Sequence, residues 1–171
     1  MKVSNVLNAE IPLNKFSHDM IEEFAVDNDN TPWLQQIIIE LEEDNDDDLK
    51  RDKAELKISA QAVRKNDRFL GDNLVFKSKI DGHYHLPCGR CLSPIRQDVA
   101  LELNGAFLNE AMEKMPEYSE VTTVYADGEE MELYFIRKGQ ISIKDFFHEQ
   151  LFSEVAPFPR CDGECKGQIY F

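Results

Sequence analysis

The chain lacks long apolar runs: no stretch of its 171 residues approaches the ~18 consecutive apolar residues that a membrane-spanning helix needs. Its first residues lack the continuous apolar core of a secretory leader, because Ser4, Asn5, Asn8 and Glu10 break it up, so a cytoplasmic location is expected. Missing too are a Gly-rich phosphate loop, a Gly-x-Ser-x-Gly elbow and a His-Glu-x-x-His helix. Carboxylates abound, but spacing marks none of them as a pair. The sequence therefore supports neither an enzyme nor a small-molecule substrate. Cations are scarce, with 19 Lys and Arg against 33 Asp and Glu, and the net charge of -14 repels nucleic acid at long range. Cysteine is scarcer still, with four in all, gathered in two places.

Those four residues organise the chain. Cys88-Gly89-Arg90-Cys91 lies in mid-sequence, and Cys161-Asp162-Gly163-Glu164-Cys165 lies near its end. Two short-spaced pairs suit the two halves of one tetrahedral zinc site, since a single backbone turn can offer two thiolates to one cation. Gly89 and Gly163 allow the tight or left-handed backbone that such turns use. A shared metal would close residues 92–160 into a loop and staple the C-terminal segment onto the middle of the fold. The competing readings are two disulfides or a Cys-x-x-Cys redox pair, and four unrelated buried thiols. Thiols in a cytoplasmic protein stay reduced, which favours metal. Sulfur at all four positions leaves no place for water or substrate, so the expected zinc is structural; iron also accepts four thiolates. His83 and His85, just before Cys88, are alternative ligands. Arg90, Arg160 and Lys166 stand where they can offset the negative charge of a zinc tetrathiolate.

Residues 2–13 alternate weakly, as a strand would. Ser17 can cap a short helix bearing Ile21, Phe24 and Ala25 on one face. Thr31-Pro32 reads as N-cap and first helical residue, and Trp33, Leu34, Ile37, Ile38 and Leu41 form the apolar stripe of the helix that follows. Residues 40–48 then hold seven carboxylates in nine positions, which should extend or disorder this stretch as a solvated hinge. The glycine and ligand spacing of an EF-hand are missing from it. From Leu56 the period is two. Leu56, Ile58, Ala60 and Ala62 share one face; so do Leu74, Phe76, Ile80, Tyr84 and Leu86, and then Ile95, Val99, Leu101, Leu103 and Phe107. Three long strands in succession predict an antiparallel meander, with the first cysteine pair between the second and third. Residues 108–115 suit a short helix. Asp127-Gly128 centres a hairpin. Ser142 and Asp145 open a last helix striped by Ile143, Phe146, Phe147, Leu151 and Val155, which Pro157 and Pro159 end.

Charge is unevenly spread. Residues 50–97 hold eleven Lys or Arg and five Asp or Glu, an excess of +6, which leaves -20 for the remainder. Strand alternation puts Lys57, Lys77, Lys79, His83, His85 and Arg96 on the polar face. Such a face, joined by Arg90, can meet phosphate. It lacks the aromatic residues that stack bases, so contact would be to backbone or shape. An ordinary solvated face with lysines is the other reading.

The segment Cys88-Gly89-Arg90-Cys91-Leu92-Ser93-Pro94 resembles the C-x-R-C-L-x-P signature of the YceD family, the large ribosomal RNA subunit accumulation proteins. Phe146, Glu149, Leu151, Ala156-Pro157-Phe158-Pro159 and the stretch from Cys161 to Cys165-Lys166-Gly167 resemble that family's tail. Members often continue into a further cysteine-rich tail, where this sequence has Gln168-Ile169-Tyr170-Phe171. The resemblance implies a non-enzymatic role in the synthesis, processing or stability of bacterial large-subunit (23S) ribosomal RNA, with that RNA or a pre-ribosomal complex as partner.

The expectation is an α+β chain with an antiparallel sheet, flanking helices and a zinc staple formed by Cys88, Cys91, Cys161 and Cys165. Residues 1–49 form an N-terminal strand and helices with an acidic linker. Residues 50–171 form the sheet domain, and the two pack as one unit. Lys57, Lys77, Lys79, Arg90 and Arg96 are the candidate RNA contacts. An adaptor that offers its acidic segment to a basic ribosomal protein, and a thiol redox protein, are the alternatives.

Overall fold

The structure is a computed structural model that describes residues 3–161. Strands β1 (Val3–Ser4), β2 (Glu10–Pro12) and β3 (Ile21–Asp27) precede helix α1 (Pro32–Leu41). Three long strands follow, β4 (Glu55–Asp67), β5 (Gly71–Pro87) and β6 (Pro94–Asn109). A 3₁₀ turn at Glu110–Lys114 leads to β7 (Thr123–Ala126), β8 (Glu129–Ile136), β9 (Gln140–Ser142) and helix α2 (Ile143–Ser153).

The fold is α+β, but the sheet is not an antiparallel meander. Its seven strands run in the order β1-β3-β4-β5-β6-β8-β7. Neighbours from β3 to β6 are antiparallel, whereas β1 on β3 and β8 on β6 are parallel. The reason is the connection after β6. Thirteen residues separate Asn109 from Thr123, which lets the β7–β8 hairpin swing round and lay β8 along β6 in the same direction. The hairpin turn itself is the one expected. Asp127 (φ 50°) and Gly128 (φ 79°) take the left-handed pair of angles that matches strand twist.

A second correction concerns residues 17–27. No helix forms there: a turn through Asp19 leads into β3 at Ile21. Phe24 and Val26 are buried while Ala25 is exposed, and they pair with Ala60 and Ile58 of β4. Isolated helices of this length are marginal, so the open edge of a long strand wins. Asp19, with φ 61° and its N–H donated to the Arg64 carbonyl, turns the chain onto that edge. Residues 108–115 likewise yield to the end of β6 and a 3₁₀ turn.

Helices α1 and α2 cover one face of the sheet. Trp33, Leu34, Ile37, Ile38 and Leu41 of α1 and Ile143, Phe146, Phe147 and Leu151 of α2 are buried, as their stripes predict. Trp33 stacks on Phe147, and Phe146 meets Phe76, Phe107 and Tyr134. The Trp33 indole N–H donates to the Leu7 carbonyl at 2.7 Å, which satisfies its polar edge inside the core. β2 pairs with β9, and the first N–H groups of α2 donate to the Ala9 carbonyl. A smaller core on the opposite face joins Val75, Ala106, Leu108, Val124 and Met131. The acidic stretch after α1 is pinned at two points: Glu42 is bonded to His85, and buried Asn45 donates to the His85 carbonyl. No helix among the described residues is long and apolar enough to cross a membrane.

Two expected outcomes follow from this packing. Gly82 sits inside β5 at φ 144°, and a Cβ there would lie 1.9 Å from the Glu55 carbonyl oxygen. Gly82→Ala should cost about 3 kcal/mol, at the upper end of the common range for single substitutions; a urea midpoint equal to wild type would refute that close approach. Arg64 binds Asp72 and, at the same time, the Phe16 carbonyl, tying the N-terminal segment to the sheet. The Arg64 guanidinium, helped by His18, holds the Asp72 carboxyl below the usual carboxylate range. A depressed folded pKa stabilises above the unfolded value of about 3.9 and is lost as pH falls through the folded one. Asp72→Asn should thus be less stable than wild type at pH 7, with a gap that narrows in acid; urea titrations showing the same gap at both pH values would contradict this.

Candidate metal centre

The β5–β6 connection is built to hold sulfur. Pro87 opposite Pro94 ends the ladder, since neither ring can donate a further hydrogen bond. Between them the Cys88 N–H donates to the Ser93 carbonyl at 2.8 Å, and the Leu92 N–H donates to the Cys88 carbonyl at 3.0 Å. The left-handed residue of this turn is Leu92, with φ 63°, and not Gly89. Gly89 serves through its backbone instead, donating its N–H to the Pro159 carbonyl at 2.8 Å. That bond lays the extended segment after α2 against the knuckle, which is how Cys161 arrives beside Cys91.

The three sulfurs of Cys88, Cys91 and Cys161 lie within 4.8 Å of one another, with Cys91 Sγ and Cys161 Sγ 3.7 Å apart. A disulfide would hold two sulfurs at about 2.05 Å. Thiolates around one tetrahedral zinc, each about 2.3 Å from the metal, lie about 3.8 Å from each other. Cys91 and Cys161 are therefore not joined by a disulfide, and the three sulfurs stand close enough to share one cation. The Arg90 N–H points at Cys88 Sγ at 3.4 Å, an interaction that steadies a thiolate. Cys88 is buried, Cys91 and Cys161 partly so. Cys165, Gly163 and Lys166 lie outside the described residues. Arg90 and Arg160 are exposed beside the knuckle.

The other expected site residues are distributed differently. Lys77 and Lys79 do share the polar face, but each meets carboxylate. Lys77 Nζ is 2.8 Å from Asp127 and 3.8 Å from Glu129, and Lys79 Nζ is 3.5 Å from Glu102. Lys65, and then Lys77, hold the Asp127 carboxyl below its usual range. Arg96 binds Asp98 at 2.8 Å. Lys57 is flanked in register by Asp27 on one side and Asp81 on the other. A phosphate on this face must displace these acids. His83 and His85 are no part of an exposed polar face: both are buried, and their ring nitrogens face Asp52 and Glu42 rather than the sulfurs. Glu42 and Asp52 are the residues that sequence reasoning missed. The one signal for them was an acidic run close to a His-x-His alternation, and nothing local said that the two would meet.

No curated protein and no solved structure matches the chain. A family model does, over residues 76–169, a span that begins in β5 and takes in the knuckle and the segment carrying Cys161. With more than half of its residues matched, and with the paired cysteines inside the match, the chain belongs to the family of the large ribosomal RNA subunit accumulation protein YceD.

Proposed function

We propose that this chain is a non-enzymatic cytoplasmic factor that supports accumulation of large-subunit ribosomal RNA, and that Cys88, Cys91, Cys161 and Cys165 hold one structural zinc. The observation that carries the reading is the gathering of three sulfurs within 4.8 Å of one another inside the family-matched segment. Zinc here would fasten the segment after α2 to the end of the β5–β6 ladder. The all-sulfur set then leaves no position for substrate, which is why the role is structural. The knuckle with exposed Leu92 and the segment with exposed Phe158 then become one fixed surface.

Charge favours a basic protein as the first contact. The chain carries -14 overall, and Asp44, Asp46, Asp47 and Asp48 are exposed on a segment that Glu42 and Asn45 anchor. An anchored acidic surface suits a basic ribosomal protein, by steering and by complementarity. Direct contact with RNA is the second reading. It is favoured by one observation: Lys57, Lys77, Lys79 and Arg96 lie on adjacent strands of one face, and Arg90 stands exposed at the end of those strands.

Metal analysis of the purified chain should find one zinc per molecule, with thiols that react only after denaturation or chelation; Cys161→Ser should lose the zinc. Metal-free protein with four reactive thiols would remove the staple and leave the redox reading in its place. For the partner, replacing Asp44, Asp46, Asp47 and Asp48 together by Asn should abolish capture of basic ribosomal proteins. Reversing Lys77, Lys79 and Arg96 to Glu should leave that capture intact. If the reversal instead lowers affinity for ribosomal RNA and reduces the salt slope by about 0.7 for each single-strand phosphate no longer neutralised, the sheet face is the RNA surface.

A further inference from the structure

Outside the cysteine cluster, β5 carries another gathering of ligand atoms. His83 and His85, two residues apart, project from the same side of the strand, with ring centroids 5.5 Å apart. They retain only 7% and 3% of their surface. Asp52, in the segment leading into β4, folds over them. Its Oδ1 lies 2.7 Å from His85 Nε2 and its Oδ2 lies 3.0 Å from His83 Nε2. The three ligand atoms are all within 4.8 Å of one another.

The hydrogen bonds at this place are incomplete. Glu42, whose side chain is only 11% exposed, accepts from the His85 backbone N–H at 2.7 Å and lies 2.8 Å from His85 Nδ1. A neutral imidazole has one N–H. Given to Glu42, it leaves the Nε2 lone pair of His85 against a carboxylate oxygen, acceptor facing acceptor. His83 Nε2 is buried and makes no hydrogen bond among the described residues, despite its closeness to Asp52. One extra proton can settle His85 but does nothing for His83. A divalent cation among the three settles both. The nearby cations do not fill the gap: Arg96 Nη1 is 3.9 Å from Asp52 Oδ2 and largely exposed, and Arg51 pairs with Glu42 Oε1 at 3.5 Å.

We propose that His83, His85 and Asp52 bind a first-row divalent metal ion through two imidazole nitrogens and one carboxylate, at a site separate from the cysteines. Ligand atoms at right angles and about 2.1 Å from such an ion lie about 3.0 Å apart, close to the two N···O distances found. Glu42 completes the arrangement as an orienting residue. It accepts the Nδ1 proton of His85 and leaves Nε2 free to ligate, the usual carboxylate–histidine–metal relation. Asp52 is 60% exposed, which gives the ion an entry path and leaves positions for water. The ion would tie the acidic segment to the sheet, because Glu42 and Asp52 stand at either end of it.

The test is a Co²⁺ titration of the full chain, read by absorption and by bound metal per chain. Thiolate-bound Co²⁺ shows strong sulfur-to-metal absorption, and Co²⁺ held by nitrogen and oxygen does not, so the two sites are told apart whether or not the cysteines hold metal. One Co²⁺ without the sulfur band is expected. Asp52→Asn and His83→Gln should each weaken it at least tenfold, and Glu42→Gln by about 10–100-fold. Asp52 is 60% exposed and stands outside the core, so its variant should fold and decides the matter if His83→Gln fails to fold. Failure to bind Co²⁺ without the sulfur band up to millimolar concentration would overturn the proposal, as would equal binding by wild type and Asp52→Asn.

Discussion

The backbone ladder of β5 is the constraint on which the rest depends. This strand pairs with β4 from Gly71 to His83 and with β6 from Leu74 to Pro87, and at His85 the Glu42 carboxylate and the Asn45 amide stand in for β4, so its register is held from both flanks. A strand so held presents side chains at known places on two faces. Its inward residues, Leu74, Phe76 and Ile80, receive α1 and α2 and make the core. Its outward residues near one end include His83 and His85. Its last position before the turn is Pro87, and Cys88 follows at once. Core, histidine pair and first thiolate are thus placed by one element.

The helices extend that order outward. Aromatic packing around Phe146 locks α2 against the sheet, and the direction of α2 then sets where the chain runs after Ser153. Pro157 and Pro159 keep it extended, and the Gly89–Pro159 hydrogen bond receives it. Cys161 comes to Cys91 through this chain of contacts, across a long separation in sequence. A metal held by these sulfurs would add to the Gly89–Pro159 hydrogen bond in fastening this segment.

Electrostatics act here mainly by local pairing. The excess of lysine and arginine in residues 50–97 is partly neutralised in place, because neighbouring strands and the β7–β8 turn bring carboxylates to Lys77, Lys79 and Arg96. Strand spacing places opposite charges directly across from one another, as with Lys79 and Glu102, and such pairs are worth little in stability but much in surface potential.

The sequence by itself determined the local items. The period of two in residues 54–107, the Thr31-Pro32 start of α1, the Asp127-Gly128 turn, the Ser142 cap of α2 and the pairing of cysteines into two short motifs were all legible, because each depends on neighbours within a turn or two of chain. Tertiary structure decided the rest. Phe24 and Ala25 read as a helix face until the open edge of β4 claimed them; β8 lies parallel to β6 because of a connection whose course no local pattern fixes. Alternation put His83 and His85 on the polar side of β5, correctly as to direction. Whether that side met water was another matter, since Glu42 and Asp52, far away in sequence, lie over it. Periodicity states which way a side chain points, and only packing between distant segments states what it meets there.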